Sequence, residues 1–139
     1  MRLTIFPILA LDVGEKRVGT AYMSRLSGAA ESKSILTRAS DEALNRILNI
    51  LSENKIKTLI AGLPLGQHLQ ATAQCKDIKN FCRRIERRFD IQTVYIDEYL
   101  SSVEATQKVR KKTQKIDDLA AEIILKRFLV AKGLLPDFV

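Results

Sequence analysis

Five short apolar runs constrain what this chain can become, because the spacing between them changes after the third. Residues 8–13 (ILALDV), 17–24 (RVGTAYMS) and 33–38 (KSILTR) follow one another through a tight Gly-Glu-Lys turn and a short loop, RLSGAAES. Runs joined so briefly pair as antiparallel neighbours. The next two, KTLIAGLPLG and IQTVYIDEYL, are each preceded by a segment of helical length. A strand reached through a helix pairs in parallel, by a right-handed crossover. The order βββ-α-β-α-β-α-α therefore predicts an α/β fold with a five-stranded mixed sheet. Three antiparallel strands come first, then two parallel crossover strands, with helices on both faces. The first strand is expected beside the strand that ends at Gly62.

The helical segments carry their own signals. In SDEALNRILNILSEN, Ser40 is a candidate N-cap, and Leu44, Ile47, Leu48 and Leu51 recur at helical spacing. Residues 68–89 put Cys75, Ile78, Cys82, Ile85 and Phe89 on one face. Ser101 stands three residues before Glu104, a capping-box spacing that predicts a further helix start. A last helix is expected from Asp117 to about Lys132, with Gly133 as its stop and Pro136 beyond.

At 139 residues, with no linker or repeat, residues 1–139 read as a single domain. No apolar stretch approaches membrane-spanning length, and the opening MRLTIFPILALDVG is broken by Pro7 and Asp12 before any cleavage signal. Cys75 and Cys82 would sit roughly 10 Å apart along one helix, too far for a disulfide. They read as core residues of a reducing compartment, so a cytoplasmic location is expected. His68 is the only histidine, which leaves zinc short of ligands, and it reads as an exposed polar residue. The net charge of +7 fits a polyanionic partner such as nucleic acid.

Several of these runs end on acids. Asp12 closes the first strand, Asp97 and Glu98 close the last, and Asp117 and Asp118 open the final helix. In open α/β sheets, ligands collect at the carboxyl ends of the parallel strands. At ~100° per residue, Asp117 lines up with Ala121, Ile124, Phe128 and Ala131, a stripe expected to face the core, whereas Asp118 turns toward Glu122. Singly, each acid fits a turn or a helix start. Gathered together they would repel one another, and a divalent cation relieves that repulsion. Carboxylate oxygens favour Mg²⁺ or Mn²⁺, as one or two ions, and such a site suits phosphodiester hydrolysis.

Four blocks, LALDVGEKRVGTA, AGLPLG, YIDEYLSSVEA and IDDLAAEIILKRFL, closely resemble in order and spacing those of the YqgF/RuvX family. The resemblance covers nearly the whole chain and implies the RNase H-like fold. It also implies a nuclease of the kind described as a pre-16S rRNA nuclease or Holliday junction resolvase. Carried over by residue, it implies Asp12, Glu98 and Asp117 as catalytic metal ligands, with Asp97 in reserve. Two departures flank that site: Tyr99 stands where the family usually has Arg, and GQHLQAT replaces an NMDGS-like segment.

Residues 108–115 (KVRKKTQK) carry five cations, Lys108, Arg110, Lys111, Lys112 and Lys115, and no acid. Beside an acidic metal site they are candidates to grip a phosphate backbone, with Lys16 and Arg17 of the first turn in support. Few aromatics accompany them, so base stacking is not indicated. The expected partner is nucleic acid, either an rRNA precursor or branched DNA, with no membrane; oligomeric state is left open. The rival reading is a non-catalytic module that binds RNA or the transcription machinery. An actin-like ATPase loop also matches DVGEKRVG, but those proteins need a second half that 139 residues do not supply.

Overall fold

The computed structural model describes residues 5–26, 31–64, 71–97 and 116–135. Its strands are β1 (Ile8–Val13), β2 (Arg17–Met23), β3 (Glu31–Thr37), β4 (Thr58–Leu63) and β5 (Thr93–Asp97). The helices are α1 (Glu42–Glu53), α2 (Ala71–Glu86) and α3 (Ile116–Ala131). One five-stranded sheet runs in the order β3-β2-β1-β4-β5, so β1 lies beside β4 as the strand order predicts. Pairs β1–β2 and β2–β3 are antiparallel, while β1–β4 and β4–β5 are parallel. The helix expected from Ser101, along with His68 and Pro136, lies outside the described residues.

Side-chain alternation divides the sheet into two cores. Leu9, Leu11, Val13, Val18, Leu59, Ala61 and Leu63 face α1 and α2, meeting Leu44, Ile47, Leu51, Ile78, Cys82 and Ile85. Ile8, Ala10, Ala21, Met23 and Ile60 face the other way, against Ala121, Ile124, Leu125, Phe128 and Leu129 of α3. The α2 face matches its apolar stripe, with Cys75 near its start and Phe89, three residues past its end, both partly buried. Both cysteines are free thiols, and burial pushes that of Cys82 up to about 11, so it stays protonated. Among the described residues, no helix is long and apolar enough to cross a membrane.

The helix ends show which local signals hold. Ser40 does not cap α1: it sits with φ 54° in a short 3₁₀ turn, Ala39–Asp41. Asp41 takes the cap position with φ 58° and makes no capping bond. Its carboxylate instead accepts a hydrogen bond from Arg84 of α2 at 2.8 Å, a tertiary pairing that competes with the cap. The α3 terminus behaves as the sequence predicts. Gly133 adopts φ 75°, its N–H donates to Val130 O at 2.9 Å, and Leu134 N donates to Leu129 O at 2.8 Å. That pair of bonds closes the last turn and needs glycine's left-handed freedom.

Helix α3 is buried more widely than one stripe. Ala120, Ala121, Ile123, Ile124, Leu125, Phe128 and Leu129 are all buried, whereas Ala131, at the helix end, is exposed. Ala121, Ile124, Leu125, Phe128 and Leu129 of this set pack against the sheet. Ile124→Ala is expected to cost about 2–5 kcal/mol, the range for deleting a fully enclosed aliphatic side chain. Urea unfolding followed by circular dichroism would measure it, and a loss under ~1 kcal/mol would mean α3 is not part of the main cooperative unit.

Candidate active site at the carboxyl edge of the sheet

Asp12 is the next-to-last residue of the central strand, opposite Gly19 of β2. Alternation settles its face: Leu11 and Val13 belong to the α1/α2 core, so Asp12 shares the α3 face with Ile8 and Ala10. The side chain is partly buried. On the other side of β1, pairing with β4 runs up to Leu11↔Ala61, so the next step along β4 is Gly62. Both β-strand neighbours of Asp12 on this face are thus buried glycines. A glycine on each side leaves no neighbouring-strand side chain level with the Asp12 carboxylate, which the rigid sheet holds in a fixed place.

The other acids divide on the same alternation. Asp97 ends β5 and pairs with Leu63. Leu63 and Tyr95 both pack on the α1/α2 side, which puts Asp97 across the sheet from Asp12, while Ile96 packs on the α3 side. Glu98, the following residue, lies outside the described residues, as do Tyr99 and residues 108–115. Asp117 is the second residue of α3, the helix that covers Asp12's face of the sheet. Because α3 is buried across a wide arc that includes Leu125 and Leu129, helical angle does not separate Asp117 from Asp118. No group of three potential metal ligands occurs among the described residues.

The turn after Asp12 is secured by a residue the sequence did not single out. Gly14 N donates to Arg17 O at 2.8 Å, and a Cβ at Gly14 would stand 3.0 Å from that same oxygen. Close approach, then, is why glycine occupies this turn. Arg38, just past β3, donates through Nη1 to Gly14 O at 2.8 Å and to Asp77 Oδ2 of α2 at 2.7 Å. Its Nη2 reaches Asp77 Oδ1 at 3.1 Å, and the guanidinium lies 5.0 Å over the Phe81 ring. One planar cation thereby ties the Asp12 turn to α2. Lys16 and Arg17 lie exposed in that same turn.

The hydrogen bond from Arg38 holds the Asp77 carboxyl below its ordinary value of 3.8. A depressed carboxyl pKa contributes stability above pH ~4 that fades as pH falls through the folded-state value. Asp77 is 44% exposed, so solvent screening limits the ion pair itself to about 1 kcal/mol or less. Arg38→Ala also forfeits the Gly14 bond and the Phe81 contact, and is expected to cost roughly 1–3 kcal/mol at pH 7. Unfolding at pH 7 and pH 3 should show that difference shrinking in acid; a constant gap would show the salt bridge contributes nothing.

A family model described as RuvX: Holliday junction resolvase matches residues 7–131. A protein of Ligilactobacillus salivarius named "Putative pre-16S rRNA nuclease" is 33% identical over 137 residues, covering 91% of this chain and 93% of that one. A Synechocystis protein of the same name is 35% identical over 129 residues, covering 87% and 85%. Among solved structures, T. thermophilus RuvC in complex with Holliday junction substrate superposes with a TM-score of 0.60, covering 93% of this chain and 97% of that one. At 12% identity that likeness speaks for the fold, a RuvC-like RNase H arrangement.

Proposed function

The chain belongs to the RuvX family, and from that premise we propose that it is a metal-dependent nuclease cleaving phosphodiester bonds in 5′-end processing of pre-16S rRNA. The observation that carries this reading is Asp12 itself, a carboxylate at the carboxyl edge of the central strand, flanked by glycines on the face that α3 covers.

In this proposal Asp12, Glu98 and Asp117 hold one or two Mg²⁺ or Mn²⁺ ions. Oxygen donors on a fixed strand and a helix start fit hard cations of that class. Glu98 is preferred to Asp97 because Asp97 stands on the opposite face from Asp12. When bound, such ions supply activated water and neutralise charge on the leaving oxygen. The chain's own residues do the rest. The rigid β1 edge fixes where the scissile phosphate sits, and the Arg38 clasp keeps the following turn in place. Lys16 and Arg17 offset charge on neighbouring phosphates, while Lys108, Arg110, Lys111, Lys112 and Lys115 grip the backbone beyond. The proposal takes residues 1–139 as one cytoplasmic domain.

The family model's description favours a second reading, resolution of four-way DNA junctions, since both substrates present the same phosphates. Labelled pre-16S rRNA fragments and a labelled four-way junction, each incubated with Mg²⁺, Mn²⁺ or EDTA, decide between them. Metal-dependent cleavage of the RNA at the 5′ processing region is expected. Cleavage of the junction alone would transfer the assignment to the resolvase. Binding without cleavage of either would make the chain a non-catalytic module.

A further inference from the structure

Helix α2 carries a basic groove on the opposite side of the sheet from Asp12. Its volume is about 390 Å³, and it is lined by Cys75, Lys76, Lys79, Asn80 and Arg83. Three of those five side chains are cationic, and no carboxylate lines the groove among the described residues. The nearby acids are engaged elsewhere: Asp77 with Arg38, and Glu86 as acceptor from Thr93 N at 2.8 Å. Two of the cations are steadied by contacts that leave their charge in place. Arg83 Nη1 donates to Asn80 Oδ1 at 2.9 Å, and the Lys79 ammonium stands 5.8 Å over the Tyr95 ring. Lys76 is exposed.

Direction matters as much as charge. Cys75 Sγ lies 3.9 Å from Pro64 O, just past the carboxyl end of β4, while Glu86 meets the amino end of β5. α2 therefore runs back from the edge where Asp12 stands toward the far edge. Its cations begin near that rim and lead away from it. Lys76 to Arg83 spans roughly 10 Å at 1.5 Å per residue, about three times the ~3.4 Å axial spacing of one strand's charges in a duplex. No acid stands four residues from Lys76, Lys79 or Arg83, and Glu86, three beyond Arg83, is engaged by Thr93 N.

We infer that the α2 groove is a second phosphate-binding surface, which holds the substrate's backbone after it passes from the acid site round the carboxyl edge of the sheet. This rests on the nuclease reading for what the acid site does, and on the groove alone for what the groove binds. Phosphodiester oxygens are its ligand class, and recognition there is by charge and spacing rather than by base.

The test uses the intact chain with EDTA present, so that binding is read without turnover. Two labelled probes are compared: a short RNA stem-loop centred on the processing region, and the same stem-loop extended at its far end. Lys76→Gln/Lys79→Gln/Arg83→Gln is expected to weaken binding of the extended RNA roughly a hundredfold near 0.1 M salt. The slope of log K against log[salt] should shrink by about 2–3 for three lost contacts, while the short stem-loop changes little. Lys76→Gln alone, an exposed position that cannot threaten folding, should remove close to one unit of slope. Unchanged affinity, or an equal loss on both probes, overturns the inference. Should wild type bind but cut neither RNA nor junction, the nuclease reading falls while the groove still stands on its binding data.

Discussion

Asp12→Asn is expected to lower turnover by at least about a thousandfold while leaving the fold intact. Asparagine keeps the volume of aspartate and an oxygen acceptor, so the strand edge has no cavity to absorb. What disappears is one negative charge from the site proposed to hold a divalent ion beside a phosphate. Losing a single preorganised electrostatic partner typically costs 10²–10³ in kcat, and a metal ligand contributes to binding and chemistry together. The same substitution makes a thermodynamic prediction independent of activity. Without metal, and with Glu98 and Asp117 beside Asp12 as proposed, the variant should relieve their mutual repulsion and lose little stability. With Mg²⁺ at about 100 times its Kd, wild type should gain roughly 2.7 kcal/mol and the variant little. Full activity in Asp12→Asn would remove the central strand from the chemistry.

The central place of the strand that carries Asp12 was legible in the sequence, for an identifiable reason. The change from short to helix-length spacing after the third apolar run forces β1 into the middle of the sheet, and a polar residue ending a buried central strand then stands out. The Gly133 stop was equally readable because the signal is local: a left-handed residue must close the last turn of α3. Tertiary competition hid other features. Ser40 has the side chain of an N-cap, yet a 3₁₀ turn and the Asp41–Arg84 pair replace the capping bond. Arg38 sits in an unremarkable KSILTR run, and its partners Gly14 and Asp77 are far away in sequence. The sheet-facing side of α3 is also wider than the stripe read from the helical wheel, since Leu125 and Leu129 pack on the sheet beside Ala121, Ile124 and Phe128. Gly19 and Gly62 were visible as glycines inside strand patterns, but their relation to Asp12 exists only in the register.

That register yields the second large effect: Gly62→Val is expected to reduce turnover at least a hundredfold with Asp12 untouched. Neighbouring strands lie about 4.8 Å apart, and side chains level with one another share a face. A valine at 62 would therefore rise beside the Asp12 carboxylate, where the proposed cation and phosphate oxygen would sit. Valine suits a strand, so backbone propensity does not oppose the change, and crowding should cost no more than about 1–3 kcal/mol. The readout that isolates the site is the Mg²⁺-dependent rise in unfolding midpoint, which should vanish in Gly62→Val. Ala61→Val is the control, one step along the same strand. Ala61 belongs to the α1/α2 core, so its overpacking should lower stability by a similar amount while the Mg²⁺ response survives. If Ala61→Val rather than Gly62→Val abolishes the Mg²⁺ response, the metal belongs on Asp97's side of the sheet. If neither does, the cation does not sit at the β1–β4 edge. A loss confined to Gly62→Val ties it to the face that Asp12 shares with α3.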